Sequence, residues 1–445
     1  MSVAILCAFE TDVMIDDSPT MSTLENLFLP INPRFSSIMV RDGNGTSQWK
    51  RVKVNLEDHV YIPTFPPGLD SYEEHISDYL SNIALEQLPQ NKPLWNMHLI
   101  KYPTKTSKGT LVFKLHHALG DGFSLMAALF SCIKRADDPS LPLTFPSTKI
   151  TQKMTKSVGA MSYFGKVSGA FSACGNTVKD FGWSLMKSNF LEDDKTPVRS
   201  GTVGVEYLPI SIVSVQFPLD DVREIKMKIG GTVNDVISGI IFHGVQLYLQ
   251  SAAKDTTESA KVTALVLLNT RIIGSYQPLH EMTKTGAKSP WGNQFGFLHV
   301  GIPNCRDAEK VNPLEFVQKA REIIKQKRSS LAVYFTGRLL EMLRRLIGPE
   351  GTAKYIHSTL RNTSMTISNL TGPMEQMIIA NNPISSFYFM VVGVPQSLTI
   401  TVVSYMGKLR VAMGVEKGFI NPNLLVSCME KSFERIFEAA LGMKP

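Results

Sequence analysis

Two adjacent histidines, His116 and His117, are followed by Asp121 and Gly122 in the run GTLVFKLHHALGDGFSLMAALFSCIKR, from Gly109 to Arg135. This H-H-x-x-x-D-G pattern suits general base catalysis. A neutral imidazole takes a proton from a hydroxyl as that oxygen attacks a carbonyl, then returns it to the leaving group. Asp121 is too close in sequence, and too tightly turned between Gly120 and Gly122, to act independently. It is expected to hold the motif in shape through an arginine, with Gly122 completing the turn. Metal ligation is the competing use of His and Asp. No third ligand lies nearby, however, and the two glycines disfavour the helix that ligands at i and i+4 need, so no metal is expected.

The flanking residues define what must position these groups. Leu111, Phe113 and Leu115 alternate with Val112 and Lys114, which predicts a strand. Successive strand side chains point to opposite faces, so His116 and His117 cannot share one cavity. Beyond Gly122, Leu125, Leu129 and Ile133 recur with Met126 and Phe130 at helical spacing, and Ser124 is expected as the N-cap. Other catalytic patterns are incomplete. Gly122-Phe123-Ser124-Leu125-Met126 lacks the closing glycine of a serine-hydrolase elbow, and the stretch from Gly159 to Lys166 has the wrong glycine spacing for a P-loop.

Further motifs follow in a fixed order: NPRFSS at Asn32–Ser37, PLWNMHLI at Pro93–Ile100, TVNDV at Thr232–Val236, WGNQFG at Trp291–Gly296, SNLTGP at Ser368–Pro373 and SLTITVVSYMGKLRVAMGVE at Ser397–Glu416. Together with HHALGDG they resemble the plant branch of the wax ester synthase/diacylglycerol acyltransferase family, over nearly the whole chain. The resemblance implies an α/β fold of two similar sandwich domains, of the CoA-dependent-acyltransferase type, with an active-site channel between them. It also implies acyl transfer from a long-chain acyl-CoA to a fatty alcohol or a diacylglycerol. The second histidine of the motif, His117, inherits the role of base, with His116 supporting it and Asp121 structural. Acyl-CoA is then a substrate and no cofactor is expected. The expected setting is a membrane surface, that of the endoplasmic reticulum facing the cytosol, with the plasma membrane as the alternative. Family members usually begin with a Pro-Leu-Ser-Pro segment and a helix. Here the strand-like VAILCAF comes almost at once, so the start looks shortened where part of the channel or a lid is expected.

Composition bounds the alternatives. A chain of 445 residues with 43% hydrophobic content is long enough for two domains, expected at residues 1–150 and 205–445 with a crossover and linker over 151–204. The net charge of +7 favours anionic partners, such as a membrane surface or the phosphates of CoA. No basic stripe is interleaved with aromatics, and nucleic acid is not expected as a partner. Five cysteines without C-x-x-C spacing suit reduced thiols. The apolar stretch Val3–Phe9 is too short for a signal-peptide core and is followed by Glu10 and Asp12, so export is not expected.

Between the domains, Met154–Phe190 mixes small and aromatic residues but is interrupted by Lys156, Lys166, Lys179 and Lys187, which leaves no spanning run. A packed interdomain helix and an interfacial membrane helix both fit it. Beyond it, Ile210–Phe217 reads as a strand, and Thr232 with Asp235 as the capping box of a helix reaching about Leu249. Asn234, beside that box, is a substrate-binding candidate. The strand Val262–Leu268 leads to Arg271, which family architecture makes the candidate partner of Asp121. Asn293 either donates a hydrogen bond near the reacting carbonyl or shapes a turn. The helical region from Pro313 to Arg345, rich in lysine and arginine, is either a solvated face or a contact for CoA phosphate or membrane. Two other functions stay open: a same-fold acyltransferase for a soluble alcohol or amine, and a catalytically idle lipid-binding protein.

Overall fold

The computed structural model describes residues 2–43, 47–146, 177, 179–253, 260–269, 291–329 and 332–442. The candidate Arg271 and most of the 154–190 segment lie outside them. In chain order the strands are β1 Ala4–Thr11, β2 Ser37–Arg41, β3 Ser47–Arg51, β4 Val60–Tyr61, β5 Trp95–Ile100, β6 Gly109–His116, β7 Lys134–Arg135, β8 Ile210–Pro218, β9 Thr263–Asn269, β10 Phe295–Gly301, β11 Met365–Thr371, β12 Met377–Ile379, β13 Asn382–Pro383, β14 Ser386–Val392, β15 Leu398–Tyr405 and β16 Lys408–Glu416. The main helices are α1 Glu73–Leu85, α2 Gly122–Ser131, α3 at 179–189, α4 Leu219–Ile229, α5 Val233–Ala252, α6 Leu314–Ser329, α7 Ala332–Leu346, α8 Gly348–Arg361 and α9 Pro422–Leu441.

The strands form two principal sheets, β14-β1-β6-β5-β4 and β10-β9-β11-β15-β16-β8, each covered by helices. Alternation along β6 builds the first one from both sides. Leu111, Phe113 and Leu115 join Cys7, Phe9 and the α2 residues Leu125 and Leu129 in one apolar cluster, while Val112 faces Ala4, Leu6 and the α1 residues Ile76 and Leu80 in another. Lys114 shares the α1 face. It is 1% exposed, and its ammonium group donates to the carbonyls of Ile83 and Glu86 at the C-terminal end of α1. Burial pulls its pKa down to about 8, against the opposing charge of Glu86.

The expected division near residues 150 and 204 does not describe the first sheet completely. Strand β14, from the last third of the chain, pairs antiparallel with β1, placing Val392 opposite Ala4. It is apolar on both faces: Phe387 and Phe389 join the α2-side cluster and Tyr388 and Met390 the α1-side cluster. The two sheets are therefore bound by chain crossing as well as by contact. A bidentate ion pair between Arg410 of β16 and Glu10 of β1, at 2.5 and 2.9 Å, adds to that junction.

Candidate active site

His117 is the first residue beyond β6, and its N–H donates to the carbonyl of Val3 at 2.9 Å. Its ring is half-buried, with the edge of Phe295 5.9 Å away between ring centres. The Nδ1 atom lies 3.0 Å from Oδ1 of Asn293, and Nδ2 of Asn293 donates back to the carbonyl of His117 at 3.0 Å. That carbonyl can only accept, which orients the amide; Oδ1 can only accept, so Nδ1 of His117 must carry the ring proton. Nε2 is left with the lone pair. Burial lowers the imidazole pKa, against the opposing charge of Asp121 and the hydrogen bond to Asn293. The result is a neutral, oriented base.

His116 ends the strand on the face of Lys114, as alternation requires. Its Nδ1 accepts from the N–H of Ala118 at 3.0 Å, and burial, then the charge of His117, lowers its pKa to about 4. The helix after the motif is capped by Asp121, whose Oδ1 accepts from the N–H of Ser124 at 2.9 Å. The expectation that Ser124 is the N-cap is thus corrected: the extended backbone of Asp121 starts α2 three residues earlier, and Ser124 instead donates to the carbonyl of Gly292 at 3.1 Å.

Asp121 ties two distant segments together. Its Oδ2 accepts from the N–H of Gln294 at 2.8 Å, and its own N–H donates to the carbonyl of Gly292 at 3.3 Å. Gly292 holds a φ of +126°, a conformation that a side chain resists. Two more motifs close on the same turn. Trp291 donates from Nε1 to the carbonyl of Leu119 at 2.8 Å, and Arg34 donates to the same carbonyl at 3.1 Å and to that of Ala118 at 3.4 Å. Asn32 caps the short turn that presents Arg34, and Trp95 donates to the carbonyl of the adjoining Phe35 at 2.9 Å. NPRFSS, PLWNMHLI and WGNQFG stand out as motifs, but their order alone assigns no role to Arg34, Trp95 or Trp291. The Asn-Pro-Arg order, an Asx turn followed by a long donor, was the available signal for Arg34.

The structure brings His117, Asp121 and Asn293 together. Asn293 meets the base itself, its amide oxygen against Nδ1 and one of its two N–H groups on the carbonyl of His117. Among the described residues, Oδ1 of Asn234 accepts from Nδ2 of Asn369 in SNLTGP at 2.8 Å, and Asn234 does not meet the His117 turn. Its neighbours Thr232 and Asp235 form the expected capping box. Among the described residues no group of three His, Cys, Asp or Glu side chains is placed to hold a metal ion. A cleft lined by Val392, Gly393, Gln396, Glu206 and Glu416 lies between the sheets at the His116 end of the first one.

Comparison with known proteins fits this geometry. The model of the wax ester synthase/diacylglycerol acyltransferase catalytic domain matches residues 28–237, and that of the WS/DGAT C-terminal domain matches residues 291–437. Wax ester synthase/diacylglycerol acyltransferase 4 of Arabidopsis thaliana is 30% identical over 91% of this chain and 81% of its own length. The chain belongs to the wax ester synthase/diacylglycerol acyltransferase family. A second Arabidopsis thaliana member of this acyltransferase family, number 11, is 27% identical over 98% of this chain and 92% of its own. In fold, the chain is similar to the wax ester synthase/diacylglycerol acyltransferase of Marinobacter aquaeolei VT8, with a TM-score of 0.60 at 14% identity, covering 100% of this chain and 95% of that one. It is also similar to the starter condensation domain of rhizomide synthetase solved with C8-CoA, with a TM-score of 0.56 at 10% identity over 99% and 89% of the two chains.

Proposed function

We propose that this acyltransferase moves a long-chain acyl group from acyl-CoA to the hydroxyl of a fatty alcohol or a diacylglycerol, with His117 as general base. The observation behind this is the Asn293–His117 pair, which leaves Nε2 as a neutral lone pair. In the reaction, Nε2 takes the hydroxyl proton as the oxygen bonds to the thioester carbon. The tetrahedral intermediate then expels the CoA thiolate, which receives that proton from the imidazolium. Both ester formation and thiol release balance with no further reactant, so acyl-CoA serves as substrate and no cofactor is invoked. His116, neutral down to about pH 4, holds the turn through Ala118.

The relatives' names and the C8-CoA complex of the condensation-domain neighbour support acyl-CoA as donor. The names of the relatives likewise support a fatty alcohol or a diacylglycerol as acceptor. We place the protein peripherally on the cytosol-facing membrane of the endoplasmic reticulum. The net charge of +7 supports attraction to anionic lipid, and Trp183, Met186 and Phe190, at 44, 47 and 78% exposure, form an apolar stripe on and just beyond α3. No helix of the described residues is long and apolar enough to cross a membrane. The test is a membrane-fraction assay in which labelled palmitoyl-CoA meets hexadecanol and diacylglycerol in competition. Labelled wax ester or triacylglycerol is expected, and no labelled product with either acceptor, against labelled product when a soluble alcohol or amine is added, would contradict the reading.

A further inference from the structure

Helix α7 lies over the candidate site. Its Leu340, 9% exposed, packs into a cluster with Val3, Phe297, Leu360 and Val391, against which Phe295 also rests. Val3 and Phe295 are themselves neighbours of His117. The inner face of α7 therefore roofs the residues that hold the base.

Its outer face is different. Phe335, Met342 and Leu346 are 47, 50 and 74% exposed, and Ile347 just beyond is 54% exposed; the ring of Phe335 also lies 5.9 Å from that of Phe181 on α3. Spacings of seven and four residues put the first three on one line along the helix. Arg338 and Arg345, also seven apart, flank that line, each ion-paired to Glu341 between them, and Arg344 is exposed near the helix end. Single exposed apolar residues are ordinary on a protein surface, but a continuous stripe edged by arginines marks an interaction surface. Such a helix lies in a bilayer interface with its apolar side chains among acyl chains and its guanidinium groups at the phosphates.

We propose that the outer face of α7 docks on an anionic phospholipid bilayer, so that lipophilic substrate passes between the membrane and the His117 site beneath the same helix. The proposal deepens the acyltransferase reading and rests on it for the identity of the cargo. Two arginines against the single carboxylate of Glu341 leave this face positive, which favours anionic lipid over a second copy of this chain carrying the same excess. The nearby α3 stripe has Trp183, Met186 and Phe190, so it is the competing surface on the same molecule.

The experiment is sedimentation of the full chain with phosphatidylcholine vesicles, with and without phosphatidylserine. Wild type is expected to pellet more with phosphatidylserine present. Met342→Glu with Leu346→Glu should weaken binding by roughly tenfold per side chain, the worth of withdrawing one buried aliphatic group. Arg338→Gln with Arg345→Gln should remove the preference for phosphatidylserine while keeping the helix folded, with the Glu341 carboxylate left without either arginine. Acyl transfer to detergent-dispersed hexadecanol should be unchanged in both double variants, since none of these residues touches His117. Vesicle binding that survives the Glu pair, or that falls only with Trp183→Glu and Phe190→Glu, overturns the proposal, as does a wild type that binds neither vesicle. Loss of transfer by wild type on dispersed substrate would instead sink the acyltransferase reading, and the sedimentation result would still judge the surface.

Discussion

Replacing Asn293 tests the orientation of the base without touching the imidazole. Asn293→Ala removes the acceptor 3.0 Å from Nδ1 and the donor 3.0 Å from the carbonyl of His117. A neutral hydrogen bond is worth about 0.5–1.5 kcal/mol net, which as a bias between ring tautomers is roughly 2- to 12-fold. Losing the ring's fixed angle adds to that, because small misplacements of a catalytic group cost up to about 100-fold. Turnover should therefore fall by about 10- to 100-fold while KM for acyl-CoA changes little. Asn293→Asp keeps the acceptor but adds a charge against the ring. Its carboxylate should raise the pKa of His117 and move the acid limb of the turnover profile upward. Steady-state kinetics across pH on both variants reads the difference. If Asn293→Ala turns over within about twofold of wild type, or if the Asp variant shows no shift of the acid limb, the tautomer argument is wrong.

Asp121→Asn retains one acceptor oxygen for the two N–H groups, of Ser124 and Gln294, that the carboxylate now takes at 2.9 and 2.8 Å. Stability should fall by about 2–4 kcal/mol together with activity, as measured by chemical denaturation. Arg34→Ala removes the donor to the carbonyls of Ala118 and Leu119 and should lower turnover about tenfold at constant KM, with partial rescue by Arg34→Lys; equal losses in both variants would deny the positioning role. His98 and His116 each have a folded pKa of about 4, below the unfolded value near 6.5, so the unfolded chain takes up protons first as pH drops. Their stabilisation is complete above about pH 6.5 and is lost as pH falls to about 4, and His98→Gln or His116→Gln should flatten the unfolding midpoint over that window.

Local patterns in the chain foretold local structure well. Alternation in LVFKLH gave β6 and turned His116 from His117, and the Thr232/Asp235 pair formed its capping box. The motif's aspartate was legible as an organiser, but its ties to Gln294 and Gly292 were not, because these lie more than 160 residues away and engage it through backbone atoms that every residue possesses. Arg34 and Trp291 escaped for the same reason, as both act on the carbonyl of Leu119. Lys114 read as the polar half of an alternating strand; only the arrival of α1, with its C-terminal carbonyls, makes a lysine acceptable inside the sheet. Strand β14 was hidden for a topological reason, since apolarity on both faces says that a strand is buried but not in which sheet.

The most direct test is single-turnover acyl transfer by His117→Ala, with acyl-CoA binding and thermal unfolding measured on the same preparation. The account predicts a folded protein that binds acyl-CoA nearly as wild type and transfers it about 10²–10⁴-fold more slowly, with His116→Ala far milder. A stable His117→Ala protein with near-normal transfer would contradict the assignment of His117 as base.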